Sequence, residues 1–297
     1  MSGRIRVLAF VAGCAALFAV AVVAGRLVGP VAAEPDPAAG HDDEMAGMEM
    51  VEGAHHDVGG LEASAGGYTM TLTGPRQTAG RQPLAFTITD ADGDPVTAYD
   101  EQHERDLHLI VVRRDLTGFQ HVHPTLATDT GEWSTEVELS AGAWRVLTDF
   151  QPSGGEPQVL GADLLVEGDF APAPLGPDSR TAHVDGYDVT LGRERVPAGT
   201  ETVLTTTISR AGEPVTDLQP YLGASGHLVV LREGDLGYLH VHPDEESGAG
   251  PAIAFHTTFP SPGRYRLFLD FRHGDEVRTA TFTVTVESWG DGTGHDH

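Results

Sequence analysis

Two sets of three histidines recur along the chain, and their spacing is the clearest sign of chemistry in the sequence. Each set contains a His-x-His-Pro motif and a further histidine at the same distance before that motif. Imidazole nitrogen binds zinc and copper at about 2 Å, so the six residues are candidate metal ligands. They are His108, His121 and His123 in the first set and His227, His240 and His242 in the second.

The first set is predicted to lie on a β-hairpin made of an apolar strand, a polar four-residue turn and a second strand. This turn places Ile110 opposite His121 and His108 opposite His123. All three histidines then share one face, where facing Cβ atoms lie about 5 Å apart. The same register is predicted for the second set. A turn one residue shorter or longer would move the first histidine of each set to the wrong face.

The alternative is that these histidines are structural or lie at the surface, as a single His-x-His motif most often does. Both sets keep all three histidines while neighbours such as Gln120 and Leu239 differ between the copies. Packing needs no such recurrence, so the duplication favours metal binding.

Other polar residues are weaker candidates. Asp149 and Asp270 occupy equivalent positions in the two copies, and either could orient a ligand histidine by a hydrogen bond. A buried acceptor or a charge at a strand end is an equal alternative. Four histidines have no counterpart in the other copy and are interpreted as ordinary residues. They are His103, His183, His256 and His273. Of these, His103 and His256 are the first to reconsider as ligands.

A further group of potential ligands precedes the first copy, in an acidic stretch rich in glycine and alanine. Thioether sulfur suits Cu(I), whereas imidazole suits Cu(II) and zinc. The stretch is interpreted as a candidate metal-capturing arm, the alternative being a solvated low-complexity tail. The residues concerned are His41, Met45, Met48, Met50, His55 and His56.

The histidine sets belong to a duplicated segment. Tyr68 matches Tyr187 at an offset of 119 positions, which persists through the histidine motifs, and after a longer loop Asp149 matches Asp270 at an offset of 121. Each copy offers about seven short runs of β-branched and aromatic residues separated by turn signals, which is typical of a sandwich. The predicted fold class is all-β, with two tandem immunoglobulin-like antiparallel β-sandwich domains.

These patterns divide the chain into six segments. They are a signal peptide or membrane anchor helix (1–33), a flexible, disordered acidic His/Met tether (34–67), β-sandwich repeat 1 (68–168), a linker (169–180), β-sandwich repeat 2 (181–288) and a disordered C-terminal tail (289–297).

Composition limits the partners and the compartment. The formal net charge of the 297 residues is -26, a surface that repels nucleic acid and attracts cations. The first segment has arginines followed by an apolar run, which predicts export, either with cleavage or as a retained anchor. The one cysteine, Cys14, lies in this segment, so disulfides and thiolate ligands are excluded from the repeats.

Three blocks of the sequence resemble those of secreted or membrane-anchored bacterial proteins associated with the handling of copper and other heavy metals. The blocks are DLHLIVV at 106–112, FQHVHP at 119–124 and YLGA at 221–224. More distantly, the domains resemble the small periplasmic β-sandwiches of the CopC and YtkA-like type. The His-x-His motif here lies in a repeated hairpin, so the ligand assignments of CopC-like proteins do not transfer.

The sequence therefore predicts an extracytoplasmic protein that binds copper, or alternatively zinc, and that sequesters the metal or delivers it to a membrane copper transporter or chaperone. No catalytic residue is identified, and the chain is not expected to be an enzyme. Two alternatives stay open. One is a metal-dependent enzyme in which three histidines leave an open coordination position, and the other is a metal-free scaffolding or adhesion module.

Overall fold

The computed structural model describes residues 58–192, 195–239, 241–244 and 247–288, with only the backbone at His242. The described residues contain strands and no helix, and among them no helix could cross a membrane. The predicted signal or anchor segment, the tether up to residue 57 and the tail from residue 289 lie outside this part of the chain.

Repeat 1 is a sandwich of two sheets. Its strands are β1 (Ser64–Ala65), β2 (Tyr68–Thr73), β3 (Arg76–Gln77), β4 (Gly80–Thr89), β5 (Tyr99–Asp100), β6 (Leu107–Arg113), β7 (Gln120–Val122), β8 (Thr125–Ala127), β9 (Glu132–Leu139), β10 (Gly142–Pro152) and β11 (Gln158–Val166). One sheet has the order β1-β2-β4-β9-β8. The other, here called the front sheet of repeat 1, has the order β3-β11-β10-β6-β7, with β5 also paired to β10.

Repeat 2 has the same architecture. Its strands are β12 (Thr181–Val184), β13 (Tyr187–Leu191), β14 (Val196–Pro197), β15 (Glu201–Arg210), β16 (Glu213–Pro214), β17 (His227–Arg232), β18 (Tyr238–Leu239), β19 (His242–Pro243), β20 (Ala252–Thr258), β21 (Gly263–His273) and β22 (Glu276–Glu287). One sheet runs β12-β13-β15-β20-β19, with β16 on β15, and the front sheet of repeat 2 runs β14-β22-β21-β17-β18.

The prediction of two tandem β-sandwiches is confirmed, with one difference in strand direction. All pairings between these strands are antiparallel except two short ones at sheet edges, where β3 runs parallel to β11 and β14 runs parallel to β22. Each parallel strand has two residues, so it closes an edge without altering the sandwich.

The unbroken apolar run in strand β6 follows from the position of this strand, which is buried on both faces. Leu109 and Val111 point into the core of repeat 1. Because side chains alternate along a strand, Ile110 and Val112 point to the opposite face, where they pack against repeat 2. His108 lies on this second face and is only 6% exposed. The strand is buried on both faces, as a continuous apolar pattern indicates.

The two front sheets pack against each other through an apolar interface. The rings of Phe119 and Phe268 stack with centroids 3.9 Å apart, and each buried large apolar side chain contributes roughly 1.5–3 kcal/mol. The repeats are therefore joined by a core of their own. Its buried members are Ile110, Val112, Leu116, Leu147, Val229, Leu231, Leu236, Tyr238 and Phe268.

The end of the predicted tether is part of this folded unit. Gly59 exchanges backbone hydrogen bonds of 2.9 and 3.0 Å with Tyr238, and the Arg145 guanidinium donates to the Gly60 carbonyl at 2.6 Å. A Cβ at Gly60 would lie 2.4 Å from Leu147, so only glycine permits this close approach. The sequence placed residues 58–67 in a flexible tether because their glycines carry no hydrophobic pattern.

Candidate metal centre between the repeats

The hairpin of repeat 1 has the predicted register. Strands β6 and β7 pair Ile110 with His121 and Leu109 with Val122. This register places His108 and His121 on the same face of the front sheet. In repeat 2, strands β17 and β18 pair Val230 with Leu239, which is the predicted register of the second hairpin.

Three imidazoles of repeat 1 converge at the interface. His108 Nδ1 lies 3.0 Å from His121 Nε2 and 3.3 Å from His123 Nε2. One potential ligand atom from each residue lies within 4.8 Å of the others. Nitrogen atoms that bind one tetrahedral ion at about 2 Å lie about 3.3 Å apart. We call His108, His121 and His123 the triad, and its spacing fits a single metal ion.

Hydrogen bonds on the outer side of two rings determine which nitrogens carry lone pairs. His108 Nε2 lies 2.9 Å from the Gln102 carbonyl oxygen. A carbonyl only accepts, so Nε2–H donates and neutral His108 has its lone pair on Nδ1. His121 Nδ1 lies 2.9 Å from Asp270 Oδ2. A carboxylate likewise accepts, so neutral His121 has its lone pair on Nε2.

The consequence is that two acceptor nitrogens face each other at 3.0 Å. This contact is repulsive when both rings are neutral, and a cation relieves it, either a metal ion between the rings or a proton on one of the two facing nitrogens. Burial lowers the pKa of His108 to about 4, with the neighbouring His121 adding to the effect, so His108 does not hold such a proton at neutral pH. Burial and the other two triad members likewise lower the pKa of His123 to about 3. His108 and His123 therefore stay neutral at neutral pH and can present lone pairs to a metal ion.

Asp270 comes from repeat 2 and acts on a histidine of repeat 1. Its carboxylate also accepts a hydrogen bond of 2.6 Å from the Thr279 hydroxyl, and the side chains of His121 and Asp270 are only 5% and 3% exposed. All three ligands come from repeat 1, so its hairpin closes the triad, while the hydrogen bond that orients His121 comes from repeat 2. Because β21 lies in the contacting front sheet, its acidic residue reaches across the interface.

Asp149, the equivalent residue of repeat 1, is also at the interface. It accepts a hydrogen bond of 2.7 Å from the Tyr238 hydroxyl of repeat 2. Burial and this carboxylate raise the pKa of Tyr238 well above its usual value, so the hydroxyl stays a donor. Both recurrent aspartates thus bond across the interface.

His227 and His103 extend the group of imidazoles beyond the triad. The rings of His227 and His108 are nearly parallel, with centroids 6.4 Å apart, and the centroids of His103 and His227 are 5.2 Å apart. Burial lowers the pKa of His227 to about 4. His103, interpreted from the sequence as ordinary, thus lies beside two candidate ligands. No recurrent pattern marks His103, because repeat 2 has Leu222 at the equivalent position.

The remaining predicted ligands are only partly described. The second triad stays a prediction, since His240 and the side chain of His242 lie outside the described residues, as do the tether histidines and methionines. Three other histidines have acidic neighbours away from the triad. His183 pairs with Asp188, His256 lies 3.5 Å from Glu201, and His273 lies 3.1 Å from Asp217.

The chain belongs to a family described as a domain of unknown function, DUF8832. The family model matches residues 63–167 and again residues 182–288, which together make up more than half of the chain. No match is found among curated proteins.

Solved structures that resemble the chain include a bacterial adhesin and a pair of titin immunoglobulin domains. The FdeC adhesin of Escherichia coli is 17% identical over 75% of this chain and 65% of its own chain, with a TM-score of 0.24. The chain thus spans less than two thirds of the adhesin chain. A titin immunoglobulin tandem is 10% identical over 72% of this chain and 91% of its own, with a TM-score of 0.21. Such low scores carry no argument about function.

Proposed function

We propose that the chain is an extracytoplasmic metal-binding protein that takes up copper at the triad between its two repeats, for sequestration or for delivery to a membrane transporter or chaperone. The observation that carries the proposal is the convergence of three imidazoles, since one potential ligand atom from each of His108, His121 and His123 lies within 4.8 Å of the others. The apolar N-terminal segment and the resemblance of the histidine blocks to copper-handling proteins support export and the choice of metal.

The ligand chemistry favours copper over zinc in direct competition. Three imidazoles suit both metals, and divalent copper binds nitrogen ligands more tightly than zinc does. The buried carboxylate of Asp270 makes His121 a better donor and partly offsets the cost of a buried cation. The proposal assigns no catalytic residue.

The test is metal analysis of the full chain purified without a histidine tag, after loading with copper and removal of weakly bound metal. To isolate the repeats, the histidines and methionines of the tether and the histidines of the C-terminal tail are replaced by alanine. These residues are called the tail ligands. In this background, H121A/H123A should lose one equivalent of tightly bound copper. The control H183A removes an exposed histidine and should lose none. Unchanged copper content in H121A/H123A would refute the proposal.

A metal-free scaffold is the second candidate, and the apolar interface favours it. The core between the front sheets joins the repeats without any metal, which suits a rigid two-domain spacer. A scaffold predicts that the tail-substituted chain retains no copper and that its stability is the same with and without copper.

A further inference from the structure

A small cavity lies beside the triad, at the contact between the two front sheets. Its volume is about 30 Å³, and its walls include His103 and Asp149 from repeat 1 and His227 from repeat 2. A space of this size holds one ion or one water molecule. The cavity also touches His108 and His121, so it adjoins the triad.

His227 has the same hydrogen-bond arrangement as His108. Its Nε2 lies 3.0 Å from the Leu222 carbonyl oxygen. Since the carbonyl only accepts, Nε2–H donates, and the lone pair of the neutral ring is on Nδ1. His227 is 8% exposed, so this ring is shielded from solvent.

The spacing of His103 and His227 fits two ligands of one ion. Imidazoles that bind one tetrahedral ion at about 2 Å have ring centres about 5 Å apart. The centroids of His103 and His227 are 5.2 Å apart, close to the 5.0 Å between His121 and His123 within the triad. The carboxylate of Asp149 lines the same cavity and supplies negative charge next to a buried cation.

His103 reaches this place at a cost to the backbone. It is the first central residue of a tight turn closed by hydrogen bonds of 2.8 and 3.0 Å between Gln102 and Arg105. Both central residues are left-handed, with φ of 49° at His103 and 63° at Glu104. Non-glycine residues rarely adopt this region, because it is strained. Leu222 has the same conformation at the equivalent position of repeat 2, so the turn belongs to the fold of both repeats.

The same turn also borders a larger cleft. His103 lines a cleft of about 550 Å³ together with Leu222, Gly223 and Asp244 of repeat 2.

We propose that His103 and His227, with the carboxylate of Asp149 beside them, form a second metal position that the two repeats hold jointly, next to the triad. The inference rests on the proposed function, since it adds an ion to the same interfacial centre. The centre then takes up two copper ions, one at the triad and one at the outer position nearer the cleft.

The test is a Cu²⁺ titration of the full chain, with the tail ligands replaced by alanine, followed by electron paramagnetic resonance. Two ions at these adjacent positions should show spin–spin coupling, which ions at distant sites would not. H103L should bind one equivalent less and lose the coupling. Leucine suits this turn, because Leu222 has a φ of 56° at the equivalent position of repeat 2. The control H183L should keep both ions and the coupling.

The outcomes separate this inference from the proposed function. A single uncoupled Cu²⁺ in the parent chain that H121A/H123A removes would overturn the second position and leave the triad intact. Coupling that persists in H103L would also overturn it. Full copper binding by H121A/H123A would instead overturn the proposed function.

Discussion

Replacement of Asp270 by asparagine tests whether repeat 2 tunes the metal affinity of repeat 1. Asparagine keeps the shape of the side chain and removes its charge. The Thr279 hydroxyl, which donates to Asp270 Oδ1 at 2.6 Å, favours placing the amide oxygen towards Thr279. The amide NH₂ then faces His121 Nδ1 and donates to it. His121 must then carry its proton on Nε2, the nitrogen that faces the other two histidines of the triad, and this proton blocks metal binding there.

The expected loss follows from the geometry of the bond. Removal of a hydrogen-bond partner of a ligand histidine typically lowers metal affinity 10–100-fold, which is about 1.4–2.7 kcal/mol. The His121–Asp270 bond is 2.9 Å long and is shielded from solvent, with side chains 5% and 3% exposed. The charge is therefore little screened, and D270N should lose at least about tenfold in copper affinity.

Affinity is measured by competition with a copper chelator of known strength, in the chain without tail ligands. Thermal unfolding of the metal-free protein shows whether D270N folds. The control D188N removes a carboxylate from repeat 2 that pairs with His183 away from the triad, and its affinity should match that of the parent. A folded D270N variant with affinity within about twofold of the parent would refute the role of Asp270.

Three further outcomes are expected. Because burial lowers the pKa of His108 to about 4, proton competition at this ring should begin near pH 4 and not near 6.5. The metal-free chain should lose stability between pH 6.5 and pH 4, where the unfolded chain binds this proton and the folded chain does not. Urea unfolding at pH 7 and pH 4.5 should show a smaller loss of unfolding free energy for H108F than for the parent chain. F268A removes a 3% exposed ring and should cost about 3 kcal/mol of unfolding free energy, and a change below about 1 kcal/mol would contradict the interface. Thioethers do not titrate, so Cu(I) on Met45, Met48 and Met50 should stay bound at pH 3. If copper binding has the same acid sensitivity with and without these methionines, the tether holds no separate site.

The register of the histidine hairpin was predictable because it depends on local rules. The four-residue turn and the alternation of side chains determine which residues face each other, and both are visible in the sequence. The duplication predicted two sandwiches for the same reason, since each copy carries its own apolar pattern and turns.

The packing of the two front sheets was not predictable in the same way. Ile110 and Val112 read as part of one buried strand, and nothing in their sequence distinguishes the core of a sandwich from an interface between sandwiches. The bond from Asp270 to His121 depends on that packing. The sequence therefore identified both aspartates as candidates without showing that each bonds across the interface.

His103 was missed because its role depends on a contact between the repeats. Recurrence in both copies identifies only residues that the two repeats share, and repeat 2 has Leu222 at this position. A centre at an interface needs only one copy of such a residue. The tight turn at His103 and Glu104 carries no signal in the sequence, because neither central residue is the glycine or asparagine usual in such turns.

The most direct test of the converging lone pairs is nitrogen-15 nuclear magnetic resonance of the histidine rings in the metal-free protein at pH 7. The structure predicts a neutral His108 with its proton on Nε2 and a His121 that donates its Nδ1 proton to Asp270. Addition of diamagnetic Cu(I) should shift the resonances of His108 Nδ1, His121 Nε2 and His123 Nε2 together at one equivalent. A proton on His121 Nε2 or a charged His108 in the metal-free protein, or a metal-induced shift confined to other histidines, would contradict the triad as a metal centre.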